Sequence, residues 1–340
     1  NGLTFEIIVT VFKGEHYAKV RIVNYHTNIV LIEKDGEVLM EVHVEGEGES
    51  GLTDRSILNL ADILDFAETV DIEDVQPTLD RQIQYNTAIA QEGLRGDYGS
   101  NIGTVLLQTY GDESVMIRAK AMAAAGSDAR MNGCEMPVII NSGSGNQGMT
   151  TSLPVIEYAK ELKVSEEKLY RALALANLVT IHQKTSIGRL SAFCGAVSAG
   201  AGAGAGIAYL QGADVAGVSH TVANAIATTG GIVCDGAKAS CASKIASAVE
   251  AGILGYNMHL SGNDFEADDG LVGETPEHTI ANIGRLGKQG MKHTNEEIIK
   301  ETKKAGLVSI PGALTPSEAT TAHRAGADFV KGDNMRKHSS

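Results

Sequence analysis

The chain has 340 residues, of which 43% are hydrophobic and 21% charged, a composition that excludes wholesale disorder, a collagen repeat and a disulfide scaffold. A net charge of -14 without a basic stripe argues against nucleic acid or an anionic membrane as partner and favours small polar substrates. Four unevenly spaced cysteines and no signal-peptide pattern predict a cytoplasmic protein.

The first 45 residues alternate polar and apolar side chains and are rich in β-branched residues, which predicts a small antiparallel sheet. The expected strands are Phe5 to Val11, Tyr17 to Val23, Asn28 to Glu33 and Glu37 to Val44, with a turn at Lys34-Asp35-Gly36. The alternative is a parallel, doubly wound sheet.

Helical spacing replaces the alternation from Thr53 onward, with Asp54 as the expected cap. Further helices are expected at Leu79 to Tyr98, Thr104 to Gly126, Thr151 to Glu161, Glu166 to Lys184, Ser191 to Gln211, Asp214 to Thr228, Cys241 to Asn257 and Thr275 to Gln289. The predicted class is therefore α+β, with a small N-terminal antiparallel sheet (residues 1–50) packed on a large, mainly helical region (residues 51–300), followed by a tail (residues 301–340).

One helix candidate, Ala192 to Leu210, carries no charge over 19 residues, which is the length of a bilayer span. The segment is mostly Ala and Gly, and these residues contribute little transfer free energy while they let helices approach closely. We therefore expect a buried, tightly packed helix there instead of a membrane span.

A glycine-rich segment, Gly143 to Gly148, follows a strand-like run and matches the G-x-G-x-x-G dinucleotide fingerprint. The second strand and acidic residue of a dinucleotide fold do not follow, because the chain continues into the helical region Val164 to Lys184. Two interpretations remain. One is an ordinary tight turn; the other is a loop at a helix start whose backbone N–H groups, joined by Ser142, Ser144 and Asn146, hold a carboxylate.

Three cysteines, Cys194, Cys234 and Cys241, are separated by 40 and 7 residues, whereas Cys134 stands apart. Three thiolates with an open coordination position suit an iron-sulfur cluster that binds substrate, and they also suit zinc. Three inert core cysteines are the alternative, because free cysteine is among the most buried residue types. A glycine-containing loop around Cys234 and two lysines near the helix start at Cys241 favour thiolates.

Four segments carry a resemblance to a known family: Asn141-Ser-Gly-Ser-Gly-Asn-Gln-Gly148, Ser191-Ala-Phe-Cys-Gly195, Cys234-Asp-Gly-Ala-Lys238 and Cys241-Ala-Ser-Lys-Ile245. Together with Asn24 to Val30 and Thr279 to Gly287, they resemble the L-cysteine desulfidase family, which is related to the α region of iron-sulfur L-serine dehydratases, over about residues 1 to 300. In that family three cysteines with this spacing hold a 4Fe-4S cluster. The resemblance therefore implies Cys194, Cys234 and Cys241 as cluster ligands and leaves Cys134 as a structural residue.

The resemblance implies a lyase that performs β-elimination, in which the open iron acts as a Lewis acid and a base removes the α-proton. L-Cysteine would yield pyruvate, ammonia and hydrogen sulfide; dehydration of L-serine is the runner-up, and a non-catalytic iron-sulfur or redox-sensing protein is the third alternative. The expected partners are a small amino-acid substrate and further copies of the chain in a homo-oligomer. The expected substrate-binding residues are Ser142, Ser144, Asn146, Gln147, His26 and Asn28.

Two features depart from the family pattern. Family members carry an upstream Gly-Cys-Thr-Glu segment whose cysteine is proposed as the base, and the present sequence begins after it, so the chain is expected to lack its base. The tail segments Ile310 to Glu318 and Ala325 to Lys331 resemble a 2-keto-3-deoxy-6-phosphogluconate aldolase, whose lysine forms a Schiff base with pyruvate. The match is too short to form a barrel, so we interpret residues 301–340 as a remnant or fusion tail without aldolase activity.

Overall fold

The computed structural model describes residues 6–23, 28–43, 53–188, 191–307, 312–313, 322, 324–327 and 331–332. The chain divides into two compact units, Asn1–Asp54 with His293–Ser340, and Arg55–Lys292. Each unit is described by itself.

The first unit contains a four-stranded antiparallel sheet in the order β1-β2-β3-β4. The strands are β1 (Glu6–Lys13), β2 (His16–Val23), β3 (Ile29–Lys34) and β4 (Glu37–Glu41). Asp35 and Gly36 both have positive φ angles, which is the backbone of a tight hairpin turn between β3 and β4. The predicted sheet and its turn are confirmed.

Helices dominate the remainder of the described chain. They are α1 (Leu60–Thr69), α2 (Ile72–Arg95), α3 (Ile102–Tyr110), α4 (Val115–Met131), α5 (Gly145–Leu162), α6 (Glu166–Ile187), α7 (Gly195–Leu210), α8 (Val215–Thr229), α9 (Cys241–Leu260), α10 (Pro276–Arg285) and α11 (Lys292–Lys304). A π-helical turn, Leu286–Gly290, follows α10. The small sheet and the many helices confirm the α+β class.

Several helix boundaries differ from the prediction, including the start of α2 at Ile72 instead of Leu79. Three further differences concern a turn, a cap and the glycine-rich segment. The single helix expected over 104–126 is broken in two, because Gly111 ends α3 with a φ of 79° that a residue with a side chain rarely adopts. The first helix begins at Leu60 instead of near Thr53, since the Asn59 side chain accepts the N–H of Asp62 and caps it. The third difference is that α5 begins six residues early, inside the glycine-rich segment.

Close glycine contacts show that α7 and α9 run in the same direction. A β-carbon on Gly204 would lie 2.6 Å from the carbonyl oxygen of Gly252, and one on Gly200 would overlap the backbone of Ala248. In both pairs, the residue of α9 follows its partner in α7 by the same number of positions in the sequence. Because that offset holds along the contact, Cys194 at the start of α7 is level with the first turn of α9.

The neighbouring helices fix the rest of the arrangement. Gly195 at the start of α7 lies against Gln147 at the start of α5. Two other helices run in the opposite direction: Arg130 near the end of α4 lies beside Gly145, and the C-terminal half of α6 packs on the N-terminal half of α7. Three helix starts (α5, α7 and α9) and two helix ends (α4 and α6) therefore meet at one end of the second unit.

Helix α7 is buried along nearly its whole length, as its Ala and Gly composition predicts. Within the described parts of the chain, no helix combines the length and apolar character needed to cross a bilayer.

The last described pieces of the tail are two short strands, β5 (Gly312–Ala313) and β6 (Lys331–Gly332), which pair in parallel. Most of the aldolase-like segments, Ile310 to Glu318 and Ala325 to Lys331, lie outside the described residues. The assignment of residues 301–340 stays a prediction.

Candidate functional site

Two of the three candidate cysteines lie on paired backbone segments. Phe193 and Val233 form an isolated antiparallel bridge. The N–H of Cys194 donates to the Ile232 carbonyl at 3.1 Å, and the N–H of Cys234 donates to the Ala192 carbonyl at 2.6 Å. Residues 40 positions apart in sequence are thereby fixed side by side, with Cys194 as the N-cap residue of α7.

Cys241, the first residue of α9, completes the group. Its Sγ lies 3.5 Å from the Gly236 carbonyl oxygen, in the loop that follows Cys234. One turn further along α9, the Lys244 ammonium pairs with Asp235 and donates to the Val233 carbonyl at 2.9 Å. Lys244 thus ties the loop carrying Cys234 to the helix carrying Cys241.

The thiols differ in exposure and acidity. Cys194 is buried, whereas Cys234 is exposed. The Cys194 thiol hydrogen-bonds to the Cys234 sulfur, which holds the pKa of Cys234 below its ordinary value and, together with burial, the pKa of Cys194 above it. Burial also raises the pKa of Cys241. The first negative charge in the group therefore forms at Cys234.

Lys184, in the last turn of α6, is a buried cation facing these thiols. Its side chain is 5% exposed, and in the described residues no carboxylate pairs with it. Desolvation lowers its pKa to about 8, and the charges of Cys234 and Cys194 oppose that shift. A buried ammonium is costly unless an anion is close, so this lysine marks the thiol group as a place where negative charge is held.

The glycine-rich segment forms the start of α5. Ser142 and Gly143 have positive φ angles, and the chain then turns so that the Ser144 hydroxyl accepts the N–H of Gln147 as an N-cap. The Ser142 hydroxyl donates to the Asn141 side chain at 2.9 Å. Both serine hydroxyls are therefore engaged within the loop itself.

Gln147 is different, because its side-chain oxygen is buried and has no hydrogen-bond partner among the described residues. The side chain is packed against Gly195, next to Cys194. An unpaired buried polar atom costs roughly 1–3 kcal/mol, so a ligand or water that donates to this oxygen would be favourable.

Arg130 lies beside the first two residues of α5. Its Nη1 donates to the Asn146 side-chain oxygen at 3.2 Å, and a β-carbon on Gly145 would lie 3.0 Å from its Cδ. Burial lowers the pKa of the guanidinium, and the charge of Cys241 opposes this. Glycine at 145 thus gives the arginine room to cross the beginning of α5.

The remaining predicted residues are Asn28, His26 and Cys134. Asn28 belongs to the first unit, where its Nδ2 donates to the Val23 carbonyl at 3.0 Å and closes the connection between β2 and β3. His26 lies outside the described residues. Cys134 follows α4 and interacts with the Tyr98 hydroxyl, not with the other cysteines.

The charges around the three cysteines suit a cluster held by thiolates. The three cysteines sit where the positive ends of α7 and α9 meet, with Lys184 and Lys244 close to the thiols, and these charges favour thiolates. In the part of the chain that is described, no three His, Cys, Asp or Glu side chains converge tightly enough to hold a single ion. An iron-sulfur cluster does not require such convergence, because each thiolate binds a different iron.

Arg130 and Lys184 were not identified from the sequence. Both lie in helices with no motif around them, and their place in the site depends on α4 and α6 ending where α5 and α7 begin. The sequence offers one signal for Arg130: α4 carries Lys, Asp and Arg within a run of alanines, and charged residues are rare in buried helices.

Comparison with known proteins places the chain in a family. Residues 6–300 match the serine dehydratase alpha chain family. A UPF0597 protein from Desulfitobacterium hafniense is 61% identical over 297 residues, covering 87% of this chain and 69% of that protein. Another UPF0597 protein, from Lachnoclostridium phytofermentans, is 58% identical over 294 residues, covering 86% of this chain and 70% of that protein. Through the match to most of its length, the chain belongs to the serine dehydratase alpha chain family.

Proposed function

We propose that the protein is a lyase that eliminates hydrogen sulfide from L-cysteine, giving pyruvate and ammonia, with a 4Fe-4S cluster held by Cys194, Cys234 and Cys241. The observation that carries the proposal is the meeting of these three thiols with the start of α5, next to the unbonded amide of Gln147. A cluster bound there would supply Lewis-acid chemistry at an iron without a protein ligand.

The chain's own groups have distinct tasks in this proposal. The beginning of α5 has backbone N–H groups and a positive dipole end that attract the substrate carboxylate. Lys184 and Lys244 offset the negative charge of the thiolates. Because Lys184 is nearly free of solvent, its charge acts in a low-dielectric environment and is felt strongly.

Dehydration of L-serine is the second candidate, and the family match favours it. The two substrates differ in one atom, and both present an amine and a carboxylate to the same loop. The two reactions differ only in the leaving group.

The test uses protein expressed from the complete gene, with the cluster reconstituted without oxygen. Pyruvate and sulfide are measured from L-cysteine, beside pyruvate from L-serine, and we expect the higher kcat/KM for L-cysteine. A higher value for L-serine would assign the second candidate, because specificity is the ratio of these values. No turnover of either substrate by cluster-loaded protein would reject the elimination.

Ser substitutions test the ligands. Cys194→Ser, Cys234→Ser and Cys241→Ser should each remove the iron and sulfide and the brown colour, whereas Cys134→Ser serves as the matched control and should retain them. Iron and sulfide analysis that finds zinc instead would overturn the cluster.

The glycine-rich loop distinguishes an enzyme from a non-catalytic sensor, because a sensor does not need a binding site for an amino acid. Asn146→Ala should leave the cluster intact and weaken amino-acid binding. An unchanged affinity would favour the sensor.

A further inference from the structure

We propose that Arg130 binds the α-carboxylate of the substrate and that the Gln147 side-chain oxygen accepts the substrate ammonium, so that these two residues select a zwitterionic α-amino acid. This inference rests on the function proposed above and assigns its substrate class to two named side chains.

Arg130 is a half-buried cation beside the cysteine group, where the charge of Cys241 acts on it. Among the described residues no carboxylate forms an ion pair with it, and its described side-chain hydrogen bond goes to the neutral Asn146. Arg118, on the same helix, shows the usual alternative: it pairs with Glu161 and donates to the carbonyl groups of Asp112 and Glu113. Arg130 therefore keeps N–H donors for a carboxylate, while the Cys241 sulfur is the nearby protein group whose charge stabilises the guanidinium.

The place of Arg130 fits a carboxylate. Its stem crosses Gly145, the first residue of α5, so the guanidinium stands beside a helix start with unpaired N–H groups. A guanidinium binds a carboxylate through parallel hydrogen bonds, and a helix N-terminus adds further donors. Neither element depends on the leaving group of the substrate.

Gln147 provides the complementary group. The residue is 6% exposed, and within the described parts of the chain no donor reaches its buried side-chain oxygen. An amide oxygen cannot bind a carboxylate, but it accepts a hydrogen bond from an ammonium. Gln147 packs against Gly195 beside Cys194, and Arg130 lies near enough to Cys241 for their charges to interact, so the ammonium site and the carboxylate site both border the cysteine group.

The test measures binding of L-alanine, which has no β leaving group and is not turned over, together with ethylamine and propionate, which lack the carboxylate and the amine. Saturation-transfer NMR is recorded on cluster-loaded wild-type protein. We expect L-alanine to bind at least about tenfold more tightly than either analogue, since each lost charged contact costs that much or more.

Arg130→Met should remove the preference for L-alanine over ethylamine, and Arg130→Lys should retain part of it. Gln147→Leu should remove the preference over propionate. Arg118→Met is the matched control and should bind as the wild type does. Iron content and circular dichroism are recorded for every variant.

Three binding results would overturn the inference: no binding of L-alanine by the wild type, equal binding of the three ligands, or loss of iron in Arg130→Met with unchanged L-alanine affinity. The last result would show that Arg130 supports the cysteine group and does not bind the substrate. If L-alanine binding depends on Arg130 while neither L-cysteine nor L-serine is turned over, the proposed function fails and the inference stands. Turnover of L-cysteine with an unchanged KM in Arg130→Met would contradict the inference and support the proposed function.

Discussion

Gly195 lies so close to the side-chain amide of Gln147 that a β-carbon at position 195 would be 2.5 Å from the amide nitrogen. This contact joins the start of α7, which Cys194 caps, to the start of α5. A candidate metal ligand and a candidate substrate-binding residue are thereby held together by the absence of one side chain.

Gly195→Ala should therefore displace Gln147 and lower stability by about 1–3 kcal/mol, the usual cost of overpacking. L-Alanine binding should weaken in the same variant. Urea denaturation and NMR titration measure the two effects. Gly231→Ala is the control, because a β-carbon there meets nothing within 4 Å and the backbone has no positive φ. Equal stability of the two variants would contradict the contact.

The thiols of cluster-free protein should react in a fixed order at neutral pH. Cys234 is exposed and its pKa is lowered by the hydrogen bond from Cys194, so it should be alkylated first. Cys194 is buried and its pKa is raised, so it should react last. Timed labelling with iodoacetamide and mass spectrometry give the order, with Cys134 as an internal reference. Equal rates for Cys194 and Cys234 would be incompatible with this geometry.

Lys184→Met should have opposite effects on the cluster-free and the cluster-loaded protein. Burial lowers the folded pKa to about 8, below the ordinary 10.5, so the charged lysine destabilises the cluster-free fold below pH 8. The variant should then be more stable by up to about 3 kcal/mol, and the difference should shrink as the pH rises from 8 towards 10.5.

The same variant should retain less iron, because the thiolates lose a buried cation. Urea denaturation at pH 7 and pH 10 and iron analysis are the measurements. Lys120→Met is a suitable comparison, since that buried lysine pairs with Glu250 and should lose stability instead. A Lys184→Met protein that is less stable at pH 7 without the cluster would contradict the expectation.

Asp128 should make stability depend on pH in the acidic range. Its carboxylate is fully buried; Oδ2 accepts the N–H of Gly103 at 3.0 Å, and Oδ1 has no hydrogen-bond partner among the residues that the structure describes. Desolvation raises the pKa to about 6, above the ordinary 3.8, so the folded state holds its proton longer than the unfolded state does. Stability from this group is therefore present at low pH and falls as the pH rises to about 6.

Asp128→Asn removes this dependence while it keeps an oxygen for Gly103. The stability of the variant relative to wild type should increase by about 2 kcal/mol between pH 4 and pH 7. Urea denaturation of both proteins across that range measures the difference, and the remaining carboxylates cancel in the comparison. A constant difference would show that Asp128 has the same pKa folded and unfolded.

Local sequence patterns were sufficient for the fold class and for most helices and strands. Apolar periodicity and β-branched content depend on neighbouring residues, so the sheet and α6, α8 and α9 appear at or near their predicted positions. The break between α3 and α4 was missed although Gly111 to Ser114 is a polar, glycine-containing stretch typical of a turn, and the positive φ of Gly111 makes the break.

The site was predictable in part. The cysteines came from a family resemblance, and the glycine-rich segment from its composition. Arg130 and Lys184 could not be found in this way, because their role depends on which helix ends meet. That meeting is set by contacts between residues far apart in the chain, which leave no periodic pattern in any one segment.

The glycine contacts between α7 and α9 have a mechanical consequence. Main-chain atoms touch main-chain atoms along this seam, at Gly200 with Ala248 and at Gly204 with Gly252. The separation of the two helix axes is then limited by hard backbone contact and does not change when a neighbouring side chain changes rotamer. The helix starts that carry Cys194 and Cys241 are thus kept at a constant spacing by a stiff pair of backbones. Substitutions in the surrounding core can therefore occur without changing the distance between these two cysteines, which a rigid inorganic group would have to bridge.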